Sequence, residues 1–320
     1  MINAAETLRM LTPTATDFVE VAVLERAGLV ESRHRGIASL VGPDGKVIDH
    51  LGSSKRVIFP RSSVKPLQAV AMARAGLKLT GQHLAISLAS HQGTEAHTKL
   101  VAEVLAGAGL TPDALQCPVA WPGNASARAA ATEETRLAFN CSGKHAGFLA
   151  TCVAAGWDTE TYLHADHPLQ ALIREVLEEY SGEAILLSTV DGCGAPLHTI
   201  TVDGLARAFG KFAATETGIV DAILANPWAV GDTKSPDALV MEQGMVAKLG
   251  AEAVFAIGLR DGHGVAVKIA DGGLRAAPLV ALKLLQRNGL IEESVYADLT
   301  EQLAVKSMGG QEVLGLLRAL

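Results

Sequence analysis

The chain has 320 residues, enough to bury a large core in one large domain or in two closely packed ones. Apolar residues make up 49% of the chain and charged residues 19%, which excludes a disordered protein. The formal net charge is −7 and the basic residues are dispersed along the chain, so no nucleic-acid partner is expected.

Three features of the sequence concern its compartment. Residues 1–18 contain no apolar core after a basic start, so no secretory signal is expected. The longest uncharged apolar stretch, residues 146–157, is shorter than the about 20 residues that a membrane-spanning helix needs. The 4 cysteines are too few for a disulfide framework in a chain of this length. We therefore expect a cytoplasmic protein with no membrane partner and with reduced thiols.

Short alternating segments near both ends of the chain predict β-strands. Residues 18–25 and 37–41 are rich in strand-forming residues, and a Gly-Pro-Asp-Gly turn then leads to a third strand at 46–50. Near the C-terminus, residues 253–259 and 265–270 flank an Asp-Gly-His-Gly turn. The sequence therefore predicts one hairpin near each end of the chain.

The remaining segments place apolar residues at intervals of three and four, which is typical of helices. We predict these helices at residues 62–76, 94–109, 125–138, 143–156, 166–180, 204–214, 217–226, 236–249, 276–289 and 292–304.

Strands at both ends with helices between them predict an α+β fold. In this fold the N- and C-terminal strands form one antiparallel sheet, and a large helical insertion covers its face. The sheet region would comprise about residues 18–60 and 250–320, and the helical region about residues 61–249. No proline- or serine-rich linker divides the chain, so we expect residues 1–320 to form a single domain.

The segment that begins at Arg61 carries the most informative motif. Ser62 and Lys65 are three residues apart, so on a helix they would share one face. A neutral lysine can take the proton from a serine hydroxyl and make it a nucleophile. Pro66 is tolerated in a first helical turn, where free N–H groups and the positive end of the helix dipole suit an oxyanion. The alternative is a capping serine beside a solvated lysine.

Four further polar features interrupt the apolar chain. They are Ser90-His91-Gln92-Gly93, Cys141-Ser142-Gly143-Lys144-His145, Asp191-Gly192-Cys193-Gly194, and Lys268 in the middle of an apolar strand. Each has a structural interpretation, since cysteines fill cores, histidines cap helices, aspartates form turns and lysines extend their charge from a strand edge. The recurrence of polar clusters flanked by glycine nevertheless favours a binding site.

These motifs, in this order, resemble those of the L-asparaginase II family, of the thermolabile or Rhizobium etli type. The resemblance runs from about Phe18 to the end of the chain. It implies a fold similar to serine β-lactamases and penicillin-binding proteins, hydrolysis of L-asparagine to L-aspartate and ammonia, and a homodimer. It also implies two serine–lysine pairs and a zinc ion, which map onto Ser62 with Lys65, Ser90 with Lys268, and the zinc ligands Cys141, Lys144 and Cys193.

A mechanism follows from this mapping. Ser62 would attack the side-chain amide carbon while a neutral Lys65 takes its proton, and Ser90 with Lys268 would relay protons or activate water; the roles of the two pairs could be exchanged. Zinc would orient the α-amino and α-carboxylate ends of the substrate. The predicted substrate contacts are Arg61, His91, His145 and Asp191.

Other functions remain open at the level of sequence. A glutaminase differs in its substrate by one methylene, which a simple pocket discriminates by only about 1–3 kcal/mol. A penicillin-recognising enzyme should carry Lys-Thr-Gly on its C-terminal strand, whereas Lys268 is followed by Ile269 and Ala270. A non-catalytic zinc- or amino-acid-binding protein and a zinc metallohydrolase are the remaining alternatives.

Overall fold

The computed structural model describes residues 11–320. Residues 1–10 of the predicted domain, and most of the segment considered for a secretory signal, lie outside the described residues. Within residues 11–320, no helix is both long and apolar enough to cross a membrane. The 4 cysteines are all buried free thiols.

Most of the strands lie near the two ends of the chain, and four short ones between them form two two-stranded pairs. The strands are β1 Val19–Arg26, β2 Leu29–Val41, β3 Val47–Leu51, β4 Val57–Ile58, β5 Ser188–Val190, β6 Pro196–His198, β7 Ile200–Thr201, β8 Val246–Gly250, β9 Val254–Gly258, β10 Gly264–Ile269, β11 Lys306–Gly309 and β12 Glu312–Ala319. The two short pairs are β4 with β7 and β5 with β6.

Most of the helices lie between β4 and β8. They are α1 Lys65–Arg74, α2 Gly81–Ile86, α3 Glu95–Gly107, α4 Ala125–Ala130, α5 Ser142–Ala155, α6 Pro168–Ser181, α7 Val202–Thr215, α8 Thr217–Leu224, α9 Pro227–Val230, α10 Pro236–Glu242, α11 Ala277–Arg287 and α12 Glu293–Leu303. A 3₁₀ turn, Arg61–Val64, leads directly into α1.

The main sheet joins the two ends of the chain. Its strand order is β11-β12-β1-β2-β10-β9-β8, with β3 pairing to β2, and all of these pairings are antiparallel. The long β2 pairs with β1 through its first half and with β10 and β3 through its second half. The predicted α+β class, the terminal antiparallel sheet and the hairpins β2–β3 and β9–β10 are confirmed.

Helices cover both faces of the centre of this sheet. Val265, Ala266 and Val267 point alternately to the two faces of β10, and all three are fully buried. Helices α7 and α11 both pack against β9 and β10. These strands are therefore buried on both faces of the sheet, and their sequences are continuous apolar runs.

The structure differs from the sequence prediction most clearly between residues 236 and 250. The predicted helix ends at Glu242, because Gly244 adopts a left-handed conformation with φ of 81°. The residues after it form β8, which pairs with β9. A short apolar run is compatible with the period of a helix and with that of a strand, so only its pairing partner decides between the two structures. Helix α4 is also shorter than predicted, because the chain becomes extended at Ala131 and Thr135 pairs with Ala120.

Gly143 allows a close approach between two of the helices that build the site. A Cβ at this position in the first turn of α5 would overlap the backbone carbonyl of Ile86, the last residue of α2. We therefore expect Gly143→Ala to lower the free energy of unfolding by about 1–3 kcal/mol, measured by urea denaturation. Gly218→Ala is the control, because its Cβ would meet no atom within 4 Å and alanine favours a helix by about 1 kcal/mol. Equal stabilities of the two variants would contradict this prediction.

Candidate active site

The serine-bearing turn has the form that the sequence predicted for a helix start. Lys65 is the first residue of α1 and Pro66 the second, and the 3₁₀ turn before them contains Ser62. Arg61 adopts a left-handed backbone with φ of 54°, which is strained for a residue with a Cβ. Within residues 11–320, neither the hydroxyl nor the backbone N–H of Ser62 has a hydrogen-bond partner. Both groups are therefore free to meet a substrate.

Lys65 is buried and makes three contacts through its amine. Its Nζ donates to the carbonyl of Ala89, to Ser90 Oγ at 3.0 Å and to Cys141 Sγ at 3.2 Å. The structure thus brings Lys65 to Ser90, and the predicted hydrogen bond with Ser62 is not formed.

The surroundings of Lys65 lower its pKa and so raise the fraction of neutral amine near neutral pH. Burial lowers the pKa of Lys65 to about 8, the positive charges of Lys248 and Lys144 contribute, and the Cys141 sulfur opposes the shift. A neutral amine retains two N–H donors and gains a lone pair. That lone pair can accept the hydroxyl proton of Ser90, while the two donors serve Ala89 O and Cys141 Sγ.

The three predicted zinc ligands converge. Cys141 precedes the first turn of α5, and Lys144 lies one turn further on. Lys144 Nζ donates to Cys193 Sγ at 3.0 Å, and the Cys193 thiol donates to the Cys141 sulfur. This hydrogen bond, together with Lys65 and Lys144, holds the pKa of Cys141 well below its usual range. Burial lowers the pKa of Lys144, but the sulfurs of Cys193 and Cys141 raise it by more, so the pKa lies above its ordinary value.

The chemistry of this donor set fits a zinc ion. Cys141 and Cys193 would supply thiolates, which Zn²⁺ prefers, and Lys144 would add a nitrogen donor, once the metal had displaced the protons of Cys193 and Lys144. In the described part of the chain, no three or more His, Cys, Asp and Glu side chains form a cluster that could hold a metal ion. A zinc ion held here would take the amine of Lys144 as its third protein ligand, and a fourth position would remain for another ligand.

A cleft joins these groups. Arg61 Nε donates to Asp191 Oδ1 at 2.7 Å, and Asp191 is held by a turn in which its N–H donates to Ala195 O at 2.9 Å. The left-handed conformation of Gly194, with φ of 90°, allows that turn. The predicted site residues that line the cleft are Arg61, Ser62, Lys65, Lys144 and Asp191.

The structure places His91 outside the lining of the cleft. This side chain is buried and does not line the cleft. Its Nδ1 accepts from the N–H of Gly93 at 3.1 Å, so the proton lies on Nε2, which donates to Ser142 Oγ at 2.9 Å. With both ring nitrogens occupied, His91 joins the Ser90 loop to the start of α5.

His145 is also not brought to the cleft. It is fully buried, and its Nδ1 lies 2.7 Å from the hydroxyl of Tyr162. Successive residues on a helix point about 100° apart, so Lys144 and His145 cannot both face the cleft. Burial, followed by the charges of Lys144 and Lys65, holds the pKa of His145 well below its usual range. In this structure His145 packs in the core beside Tyr162.

Lys268 lies away from the serines. Its Nζ donates to the carbonyl oxygens of Glu252 and Ile269, the latter at 2.9 Å, and not to Ser90. The predicted Ser90–Lys268 pair is not formed. Lys268 lies near the end of β10, and its side chain turns back towards the start of β9, the strand that pairs with β10.

The buried lysine of the site that the sequence analysis missed is Lys248. It lies on β8, is 0% exposed, and its Nζ is 3.0 Å from Asp237 Oδ2. Its positive charge contributes, after burial, to the lowered pKa of Lys65. The sequence feature that marks this position is a Lys-x-Gly triplet, Lys248 to Gly250, which lies inside an apolar run predicted to be a helix.

Solved structures similar to this chain include crystal structures of Mglu. The glutamate form has a TM-score of 0.47 at 16% identity, with 80% of this chain and 60% of that chain covered. The native form has a TM-score of 0.47 at 14% identity, with 91% and 73% covered. The chain thus spans 60% of the length of the first of these structures. These similarities are too distant to carry a functional conclusion.

No curated protein sequence matches the chain. The family model of L-asparaginase II matches residues 22–319, which include β1, the serine-bearing turn, the cysteine cluster and β12. The match covers nearly the whole of the main sheet and all of the cleft. This chain belongs to the L-asparaginase II family.

Proposed function

We propose that this protein hydrolyses L-asparagine to L-aspartate and ammonia, with Ser62 as the nucleophile. The family makes it an amidohydrolase. The observation that carries the proposal is the position of Ser62, which has a free hydroxyl and lines the same cleft as Lys65 and Lys144. A substrate amide in this cleft would meet a nucleophile, a base and a hydrogen-bond donor together.

The chemical steps follow from these positions. Ser62 Oγ forms a bond to the amide carbon and loses its proton to Lys65, directly or through Ser90, which lies 3.0 Å from the lysine amine. The oxyanion accepts a hydrogen bond from the free N–H of Ser62. The carbon–nitrogen bond then breaks, and the departing nitrogen takes the proton from Lys65 and leaves as ammonia. Water hydrolyses the resulting β-aspartyl ester and restores Ser62.

The charges of the cleft suit a free amino acid. L-Asparagine carries an α-carboxylate and an α-ammonium group, and the ion pair of Arg61 with Asp191 offers a partner of opposite sign to each. The guanidinium would hold the carboxylate and the aspartate the ammonium. Because Arg61 directly precedes Ser62, this contact would also set the distance of the substrate amide from the serine.

We also propose a zinc site formed by Cys141, Lys144 and Cys193. Bound zinc would act as a Lewis acid that orients the polar ends of the substrate. We expect the wild type to contain zinc by elemental analysis. Cys193→Ala should lose most of it and raise KM for L-asparagine about tenfold or more, with a smaller effect on kcat.

Cys152→Ala is the matched control for the zinc site. Cys152 is also a buried thiol, but it lies towards the end of α5, outside the cluster. Its replacement should leave both zinc content and KM unchanged. Absence of zinc from the wild type would refute the metal site. Loss of kcat at saturating substrate in Cys193→Ala would favour a metallohydrolase instead.

The proposed function is tested by ammonia release from purified protein. L-Asparagine should be hydrolysed faster than L-glutamine, and a β-lactam should not be opened. Preferential release from L-glutamine would identify a glutaminase. Binding of either amino acid without release of ammonia would identify a non-catalytic binding protein.

Three further proposals rest on the family resemblance. We propose that the protein is a homodimer, that it works in the cytoplasm, and that its single domain is similar in fold to serine β-lactamases. Sedimentation equilibrium tests the first, and fractionation of the producing cells tests the second. An experimental structure compared with those enzymes tests the third.

A further inference from the structure

Asp237 and Lys248 form an ion pair in the interior of the protein. Both side chains are 0% exposed, and Lys248 Nζ lies 3.0 Å from Asp237 Oδ2. The amine also donates to the carbonyl of Leu249 at 3.2 Å. Burying two charges costs more than their attraction returns unless the geometry is good, so such pairs are weak evidence for stability alone. A role in the neighbouring site would explain why this pair is retained.

The strand geometry directs Lys248 towards the serine-bearing turn. Alternate residues of a strand point to the same face, so Lys248 and Gly250 leave β8 on the same side. A Cβ at Gly250 would overlap the carbonyl of Pro60 and approach the N–H of Ser63 to 3.1 Å. This face of β8 therefore packs against the 3₁₀ turn that carries Ser62, and the side chain of Lys248 projects from the same face.

Helix α10 supplies the negative charge that pairs with Lys248. Asp237 lies in the first turn of α10, which packs against β8. Its carboxylate is the acidic partner of Lys248 among the described residues. Without it, the amine would be left as an unpaired buried cation, which would lose its proton or move away.

We propose that Asp237 is a positioning residue of the active site, whose carboxylate holds the Lys248 ammonium against the serine-bearing turn. This inference rests on the proposed amide hydrolysis. Asp237 touches no substrate in this account and acts only through Lys248. The competing explanation is that the ion pair merely ties α10 to β8.

Asp237→Asn tests the proposal, because it keeps the size of the side chain and removes its charge. We expect kcat for ammonia release from L-asparagine to fall by about tenfold to a hundredfold, with KM changed by less than about threefold. The matched control is Asp203→Asn. Asp203 is likewise a buried carboxylate in a first helical turn, but it accepts a hydrogen bond from Ser39 Oγ at 2.6 Å and does not line the cleft. Its variant should retain wild-type kcat.

A double-mutant cycle separates positioning from simple stability. In a Lys248→Met background, Asp237→Asn should cause no further loss of kcat, because the group that Asp237 positions is already absent. Removal of both charges also restores a neutral interior, so the double variant should fold. Independent, additive losses, or an unchanged kcat in Asp237→Asn alone, would overturn the proposal.

Asp237→Glu keeps the test decisive if Asp237→Asn does not fold. The ion pair persists, but its carboxylate is displaced by one methylene, so kcat should fall by about threefold or more while the variant remains folded. Wild-type kcat in Asp237→Glu would show that the exact position of Lys248 does not matter.

A covalent serine reagent distinguishes failure of this inference from failure of the proposed function. A fluorophosphonate forms a bond from serine oxygen to phosphorus and expels fluoride, without requiring the correct amide substrate. If the wild type releases no ammonia but is labelled, only the proposed substrate is wrong. Labelling should then be about tenfold slower in Asp237→Asn than in the wild type or Asp203→Asn, and equal rates would refute the positioning role.

Discussion

Ser62→Ala is expected to lower kcat for ammonia release from L-asparagine by about 10³-fold or more, because the acyl-enzyme route requires its hydroxyl. The substrate would still bind, since Arg61 and Asp191 remain in the cleft, so KM should change by less than about threefold. Steady-state kinetics measures both quantities. Mass spectrometry of the wild type, quenched during turnover, should locate the β-aspartyl group on the peptide that contains Ser62.

The neighbouring serine provides the control. Ser63 lies in the same turn, but it is fully buried and its Oγ donates to Pro60 O at 2.8 Å. Ser63→Ala should therefore cost about 1 kcal/mol of stability through the lost hydrogen bond and leave kcat near that of the wild type. If Ser62→Ala remained active and the β-aspartyl group were found on Ser90, Ser90 would be the nucleophile and the roles of the two serines would be exchanged. The hydrogen bond of Ser90 with Lys65 would then mark the nucleophile.

Local periodicity accounts for the parts of the fold that could be predicted. The strand pattern of β1, β9 and β10, and the helical spacing of apolar residues in α3, α5 and α6, can each be recognised from the residues of one segment alone. The strand β8 could not be predicted in this way, because five residues are compatible with either period and its pairing with β9 is a tertiary contact. The same holds for β12, whose pairing with β1 joins residues almost 300 positions apart in the chain.

The candidate site shows the same division between local and distant contacts. Ser62 and Lys65 share a turn, so their proximity follows from their spacing. The convergence of Cys141 with Cys193 required the family resemblance, because no local rule joins two loops. Lys248 and Lys268 could not be separated, since both are lysines in apolar segments near the C-terminal hairpin. Only the pairing of the strands decides which of them shares a strand face with Gly250, which packs against the serine-bearing turn.

His91 illustrates a further limit. A histidine beside a candidate catalytic serine predicts a substrate contact, and nothing local argues against it. Its actual role depends on the N–H of Gly93 and the hydroxyl of Ser142, which occupy both ring nitrogens. The protonation state of a buried imidazole is set by such partners, and the partner from α5 is distant in sequence.

The lysine that serves as the base is identified by comparing two variants. Lys65→Met is expected to lower kcat by about 10³-fold or more, because no other described amine lies within hydrogen-bond distance of Ser90 Oγ. Methionine has a similar length and replaces an amine whose burial already disfavours its charge. The variant should therefore fold, and circular dichroism with thermal unfolding should show a stability close to that of the wild type.

Lys268→Met is the control, and it decides between the sequence prediction and the structure. The amine of Lys268 is bonded to the backbone of Glu252 and Ile269 and not to either serine, so this variant should keep kcat within about threefold of the wild type. If Lys268→Met were inactive and Lys65→Met active, the base would be Lys268 and the observed pairing of Lys65 with Ser90 would have no catalytic meaning. If both were inactive, Lys268 would have to reach the serines in the substrate complex, through a movement of the end of β10.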